Sequence, residues 1–155
     1  MIIAAEEKGE RTMREILFRG KRTDNGEWIE GYFCGKVNET IFSPATESAQ
    51  IIDKDLYWHE VIPETVGQYT GLSDSKGRKI FEGDIVKGHL HSAWSHNIEI
   101  CDIAYGKSGF ESRMHINGLD SDYYSHKVLF SKDVEVIGNI YDNPELLSDE
   151  VNTDV

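Results

Sequence analysis

Short strand-like runs recur between turn residues from residue 15 to residue 141, and no segment repeats its apolar residues at the 3.6-residue period of a helix. A chain of 155 residues without helical periodicity has to bury its apolar side chains between strands. About seven to ten short strands with tight turns favour a small barrel or roll over a layered α/β fold. The sequence therefore predicts one mainly β domain, a barrel or roll with β-hairpin elaborations and little helix.

Turn residues are densest in the middle of the chain, where glycine and aspartate alternate with short apolar pairs. Asp74 can bond to the backbone two residues on, and Gly77 supplies the positive φ that closes such a turn. Gly83 is expected at a tight turn before the next strand, with Asp84 bonding that turn. These residues form a predicted structural turn motif: Gly71, Asp74, Gly77, Gly83 and Asp84.

Other segments are assigned from their local patterns. The Asp-Asn-Gly run at 24–26 predicts a hairpin that returns through residues 27–37. Residues 41–42 read as a short strand stopped by Ser43 and Pro44, and residues 45–54 read as a loop. Residues 57–62 read as a strand, and Asn143 and Pro144 predict one helical turn.

The strand predicted at residues 98–105 breaks the alternation of apolar and polar residues near its middle. This indicates a bulge or burial on both faces. A barrel wall has only one face towards its own core, so the second face needs another cover. A second copy of the chain is the simpler cover, which predicts a homo-oligomer. The alternative is an insert from the same chain, residues 110–130, although its polar residues make it a poor apolar lid.

The net charge of -12 argues against nucleic acid as a partner, because such binding depends on cations that neutralise phosphates. Residues 142–155 contribute -5 and residues 1–12 contribute -1, so residues 13–141 carry only -6. One local basic cluster remains and supports the alternative of a nucleic-acid-associated module, although a solvated strand edge explains it as well. Its members are Arg14, Arg19, Lys21 and Arg22.

The sequence predicts a cytoplasmic protein with no membrane association. No apolar run approaches the roughly 20 residues that cross a bilayer, and the N-terminus has no basic and apolar signal pattern. Two cysteines suit a reducing compartment. Cys34 and Cys101 lie in predicted strands with apolar neighbours, so both are expected to be buried structural thiols.

No catalytic constellation and no cofactor motif is apparent. His89, His91 and His96 are the nearest to a set of metal ligands, but their spacing matches no standard pattern, so the prediction is that no metal binds. The Gly-Lys-Ser triplet at 106–108 lacks the earlier glycine of a P-loop, because Cys101 stands at that position. A metal-dependent enzyme is therefore the least favoured reading.

Aromatic residues are the side chains best able to anchor a partner, because they dominate interface energetics. Most of them are needed for the core of a domain this small. Trp58 flanks an acidic loop and Trp94 lies between His91 and His96, so these two tryptophans are the predicted partner-binding residues.

Three blocks of sequence resemble the YopX family of phage and prophage proteins. They are MREILFRG at 13–20, the run from QYTGL through Asp74 and Gly77 to IFEGDIVK at 68–87, and VIGNIYDNPELL at 136–147. The resemblance covers about residues 13–147, with residues 1–12 as an extension that is expected to be disordered and 148–155 as an acidic disordered tail. It implies an SH3-like β-roll made in the cytoplasm of a bacterial host, and it implies no activity.

The predicted function is that of a non-enzymatic phage or prophage accessory protein that acts by protein binding or self-assembly. Its partner is expected to be a host or phage protein of unknown identity, a second copy of the chain, or both. The alternative is the nucleic-acid-associated module.

Overall fold

A computed structural model describes residues 15–40, 43–88, 98–107, 109–113, 115–116, 119–120, 126–127 and 134–148. Several sequence predictions lie outside these residues. They are the N-terminal extension, the tail beyond residue 148, the strand at 41–42, Arg14, Trp94 and the three histidines His89, His91 and His96.

The described residues form a mainly β fold, as the sequence predicts. The strands are β1 (Phe18–Lys21), β2 (Trp28–Thr40), β3 (Ser43–Ile52), β4 (Trp58–Val61), β5 (Gly67–Ser73), β6 (Lys79–Phe81), β7 (Asp84–Gly88), β8 (Glu99–Gly106), β9 (Gly109–Arg113), β10 (His115–Ile116), β11 (Leu119–Asp120), β12 (His126–Lys127) and β13 (Glu135–Asn139). One sheet has the order β4-β3-β2-β1-β5-β6, a second has the order β12-β9-β8-β7-β13, and β10 pairs with β11. All the pairings are antiparallel.

The hairpin predicted around residues 24–26 joins β1 to β2. Gly26 has a φ of 74°, and the Arg22 N–H donates to the Glu27 carbonyl at 2.9 Å. The inner face of this sheet buries Ala49, Ile51 and Val61. A Cβ at Gly31 would be 2.0 Å from the Ile52 carbonyl oxygen. Only glycine therefore allows β2 and β3 to approach this closely.

β3 is the main error of the sequence prediction. Residues 45–52 were expected in a loop and Ser43 and Pro44 were expected to stop a strand, yet β3 runs through this whole segment. Its register against β2 extends from Ile52 opposite Tyr32 to Ser43 opposite Thr40. Pairing with a neighbouring strand therefore outweighs the low strand propensity of this polar stretch.

The second sheet holds a separate core cluster of Ile80, Val86, Cys101, Ile103 and Val134. All five residues of β8 from Ile100 to Ala104 are buried, which confirms burial on both faces of this strand. The burial occurs within one chain. The strand therefore does not need a second copy to cover it, and the argument for an oligomer from this strand is lost.

The two sheets do not close into a barrel, so the SH3-like detail is not confirmed. The first sheet does curl strongly, because the chain after β4 returns to the end of β1. Ile62 N–H donates to the Lys21 carbonyl at 2.8 Å, and Arg22 forms an isolated bridge with Val61. Because β1 and β4 are joined here by a single isolated bridge, the described strands of the first sheet do not form a closed barrel.

Helical structure in the described residues is limited to 3-10 turns such as Pro63–Thr65 and Pro144–Leu147. The predicted turn after Asn143 is present with Pro144 in its first turn, although the Asn143 side chain makes no capping hydrogen bond. Within the described part of the chain, no helix has the length and apolar character needed to cross a membrane.

Candidate functional site

A buried ion pair joins the two sheets. Arg19 on β1 places Nη2 2.6 Å from Oδ1 of Asp84 at the start of β7, and the Asp84 side chain is only 1% exposed. The other carboxylate oxygen of Asp84 accepts the Phe81 N–H at 2.7 Å. Burial raises the pKa of Asp84, although the nearby Arg19 guanidinium opposes the shift.

Aromatic rings enclose this ion pair. The Arg19 guanidinium carbon lies 4.7 Å from the centre of the Trp28 ring and 5.1 Å from that of Phe81. The Trp28 ring in turn lies 5.9 Å from the ring of Tyr141. The guanidinium is therefore held by cation–π contacts as well as by the carboxylate.

The turn after β13 completes the cluster. Asp142 accepts hydrogen bonds from Lys21, from Trp28 Nε1 at 2.7 Å and from Asn139 at 3.0 Å. The Lys21 bond, followed by those of Asn139 and Trp28, lowers the pKa of Asp142 to about 2. We call Arg19, Trp28, Asp84, Tyr141 and Asp142 the junction, since they bring residues from all three sequence blocks and β2 together.

Gly83 lies at the junction with a φ of 82°. A Cβ at this position would be 3.1 Å from Cε2 of Tyr141. Its N–H donates to the Ile103 carbonyl at 2.7 Å and its carbonyl accepts from Ile140 at 2.9 Å. The glycine thus allows a turn that connects β7, β8 and the end of β13.

Asp74 organises a second connection between the sheets. Its side chain is fully buried and accepts backbone N–H groups of Lys76 at 2.9 Å, Arg78 at 2.8 Å and Val136 at 3.1 Å. Burial by itself raises the pKa of this carboxyl, but the N–H donors and the Arg78 side chain outweigh it, so the pKa is lowered. The carboxylate ties the turn after β5 to β13.

The other two residues of the predicted turn motif are also glycines with positive φ. Gly77 has a φ of 79° in the turn that Asp74 organises. Gly71 has a φ of 87° at the point where the register between β5 and β6 shifts. Both values lie in the region that favours glycine.

The outer face of the first sheet presents a different kind of surface. Tyr32, Ile52 and Trp58 are direct cross-strand partners on β2, β3 and β4, so their side chains share one face. Tyr32 and Trp58 are each 58% exposed. Ile52 lies between them and is partly exposed.

The turn before β4 also exposes apolar side chains. Leu56 is 75% exposed with a φ of 66°, and Tyr57 is 68% exposed. A left-handed conformation is costly for leucine, so it persists only where neighbouring bonds fix it. We call Tyr32, Ile52, Leu56, Tyr57 and Trp58 the outer aromatic patch.

Asp53 supplies the bonds that fix this turn. Its Oδ1 accepts the N–H groups of Asp55 at 2.9 Å and Tyr57 at 3.0 Å, and its Oδ2 lies 2.8 Å from His59 Nε2. The His59 contact and the Tyr57 N–H lower the pKa of Asp53. The turn is therefore ordered while its apolar side chains face solvent.

Of the two predicted partner-binding tryptophans, Trp58 lies in the outer aromatic patch and Trp94 is outside the described residues. Tyr32 was missed, because most aromatic residues were assigned to the core. Tyr32 and Cys34 are two residues apart on β2, so their side chains share a face. Cys34 is exposed, so its predicted burial is wrong, whereas Cys101 is buried and its burial raises the pKa of the thiol to about 12.

The predicted basic cluster is not a free cationic surface in its described members. Arg19 pairs with Asp84, and Lys21 pairs with Asp142. Arg22 pairs with Asp24, two residues along the chain. Each of these cations is therefore neutralised by a carboxylate of the same chain.

Metal-ligating side chains do not converge among the described residues, where no group of three or more His, Cys, Asp or Glu is arranged to hold a metal ion.

Asp102 is a second buried carboxylate, and Arg113 Nη2 lies 2.6 Å from its Oδ2. Such an arrangement stabilises charge inside the fold, whereas the outer aromatic patch exposes apolar side chains to solvent.

The comparison with protein-family models agrees with the sequence blocks. The family model described as YopX protein matches residues 17–148. A solved structure, protein EF1440 from Enterococcus faecalis, is 25% identical with a TM-score of 0.46, and the match covers 88% of this chain and 100% of that chain. No curated protein matches the chain significantly. The chain belongs to the YopX protein family.

Proposed function

We propose that this protein is a non-enzymatic binding module that recognises another protein through the outer aromatic patch. The observation that carries the proposal is the exposed row of Tyr32, Ile52 and Trp58 across three paired strands. We place the module among the accessory proteins of a phage or prophage, acting on a host or phage protein in the bacterial cytoplasm.

The patch has the chemistry of a protein interface. Tryptophan and tyrosine are the residues most often found at the energetic centre of such interfaces, since they bury a large area with few rotatable bonds. The Asp53 bonds already order the turn that carries Leu56 and Tyr57. Ordering before binding lowers the entropic cost of association, so the patch can bind without rearranging its backbone.

The alternative of a nucleic-acid-associated module has less support. Phosphate binding needs cations that are available to the backbone of the nucleic acid. Arg19, Lys21 and Arg22 are already paired with carboxylates, and the net charge of the chain is -12. These observations favour a protein as the partner.

Affinity capture from the bacterial host tests the proposal. The full chain is immobilised, and captured proteins are quantified by mass spectrometry for the wild type, Trp58→Ala and Tyr105→Ala. Tyr105 is the matched control, because it is 61% exposed on β8 of the other sheet. We expect a defined partner to be retained by the wild type and the control and reduced by at least about tenfold with Trp58→Ala.

Purified partner and chain then give the dissociation constant directly by calorimetry. An affinity that is the same for Trp58→Ala and the wild type contradicts the proposal. Loss of affinity in Tyr105→Ala alone would move the interface to the second sheet.

A further inference from the structure

Among the described residues, the long strand β2 has one edge without a partner over most of its length. β1 pairs with β2 only from Trp28 to Gly31, whereas β3 pairs with β2 from Tyr32 to Thr40. These two neighbours lie on opposite edges, since the order of the sheet is β3-β2-β1. Among the described strands, none pairs with the β1-side edge of β2 beyond Gly31.

The direction of the backbone groups follows from the hairpin. The Arg22 N–H donates to the Glu27 carbonyl, so residue 27 directs its backbone groups towards β1. Alternation along a strand then directs the groups of residues 29, 31, 33, 35 and 37 to the same side. Beyond residue 31 these N–H and C=O groups face an edge with no described partner strand.

The segment that carries this edge is a two-stranded arm. β4 covers β3 only from Ala49 to Ile52, so residues 43–48 of β3 pair with β2 alone among the described strands. A two-stranded ribbon is marginally stable in water, and a third strand stabilises it. The base of the arm also exposes an aromatic ring on each face, since Tyr32 is 58% and Phe33 is 40% exposed.

We propose that the open edge of β2 pairs antiparallel with the same edge of a second copy of this chain, across a two-fold axis. This self-pairing goes beyond the proposed function, because it uses the edge of the sheet rather than the outer aromatic patch.

The charge of the open segment of β2 fits a second copy as the occupant. The chain carries -12, so most of its surface opposes self-association. Residues 32–40 contain one cation, Lys36, and one anion, Glu39, and are therefore neutral overall. An antiparallel two-fold arrangement brings the Lys36 end of one edge towards the Glu39 end of the other.

The geometry of the edge fits the same occupant. Two identical edges always match in length, and their N–H and C=O groups match by symmetry. Gly35 lies near the middle of the open segment and has no side chain that could hold a second backbone away. Pairing also covers the exposed Phe33 and Tyr32 at the base of the arm.

Light scattering after size exclusion and pulsed electron paramagnetic resonance test this proposal on the full chain. At about 10–100 µM protein we expect a dimer. Cys34 is exposed and Cys101 is fully buried, so a spin label attaches to Cys34 alone. Antiparallel β2 edges would place the two labels within about 25 Å of each other.

Two variants separate backbone pairing from other contacts. Val37→Pro removes an N–H that faces the open edge and is not used in the pairing with β3, so we expect a monomer. Val37→Ala keeps this N–H and is expected to stay dimeric. Melting curves show whether either variant is unfolded. If one is, the distance between the Cys34 labels in the wild type alone tests the self-pairing.

A monomer at every concentration overturns the inference, as does a dimer whose Cys34 labels are more than about 40 Å apart. A monomeric wild type that still loses its partner with Trp58→Ala removes the self-pairing and leaves the proposed function standing. A dimer with the short distance and unchanged capture by Trp58→Ala supports the self-pairing and removes the proposed function.

Discussion

The junction and the outer aromatic patch lie in the same small domain and reverse the usual placement of side chains. At the junction, the carboxylate of Asp84 is buried and paired with Arg19. In the outer aromatic patch, Trp58 and Leu56 are exposed. Buried charge costs free energy unless it is paired, and exposed aromatic surface is unfavourable unless something covers it.

The comparison separates two roles. The charges of the junction are paired within the chain, so the junction explains how the two sheets are held together. The outer aromatic patch has no such cover among the described residues, and the proposed function assigns its cover to a partner protein. Substitutions should therefore affect stability at the junction and binding at the patch.

The largest expected effect comes from Asp84→Ala. This change leaves the partly buried Arg19 guanidinium without its carboxylate and removes the acceptor of the Phe81 N–H. We expect the free energy of unfolding to fall by about 3–5 kcal/mol, measured by urea denaturation. Asp24→Ala removes the partner of Arg22 at an exposed pair and should cause no measurable change. Equal effects of the two variants would show that the junction is not special.

A smaller effect is expected from Gly83→Ala. The positive φ costs alanine about 1–2 kcal/mol, and the new Cβ also presses on the Tyr141 ring. Gly77→Ala is the matched control, because its φ is 79° but nothing lies within 4 Å of the added Cβ. The difference between the two melting temperatures measures the Tyr141 contact. If the control is the more destabilised variant, this account of the junction is wrong.

The smallest effect on stability is expected from Trp58→Ala. The side chain is 58% exposed and makes a cross-strand contact with Ile52 at the edge of the sheet. We expect the free energy of unfolding to change by less than about 1 kcal/mol in the same denaturation assay. A loss comparable with that of Asp84→Ala would make Trp58 a structural residue and erase the contrast between the two regions.

Local signals explain the parts of the fold that could be predicted from the sequence. The hairpin at Gly26 depends on residues a few positions apart, whose conformational preferences act before any tertiary contact. β3 depends on pairing with β2, and its residues from Ser43 to Gln50 contain too few apolar side chains to show an alternation. Such a strand is recognisable only when its partner is known.

The junction and the outer aromatic patch also depend on contacts between residues far apart in the sequence. Arg19 reads as part of a basic cluster because its carboxylate partner is Asp84, far along the chain. Exposure of Trp58 was predicted from its acidic surroundings, whereas Tyr32 was missed because a strand pattern does not show which of its faces is the outer one. The sequence pattern defines the two faces, and tertiary packing decides which one is covered.

The carboxylate of Asp74 also sets an order of events during synthesis of the protein. Asp74 leaves the ribosome 62 residues before Val136, whose N–H it accepts. Until Val136 has been synthesised, the Asp74 carboxylate in the turn after β5 lacks one of its three backbone N–H donors. The first sheet therefore reaches its final state only after β13 has been made, and a nascent chain cut short before residue 134 lacks the segment that closes both connections between the sheets.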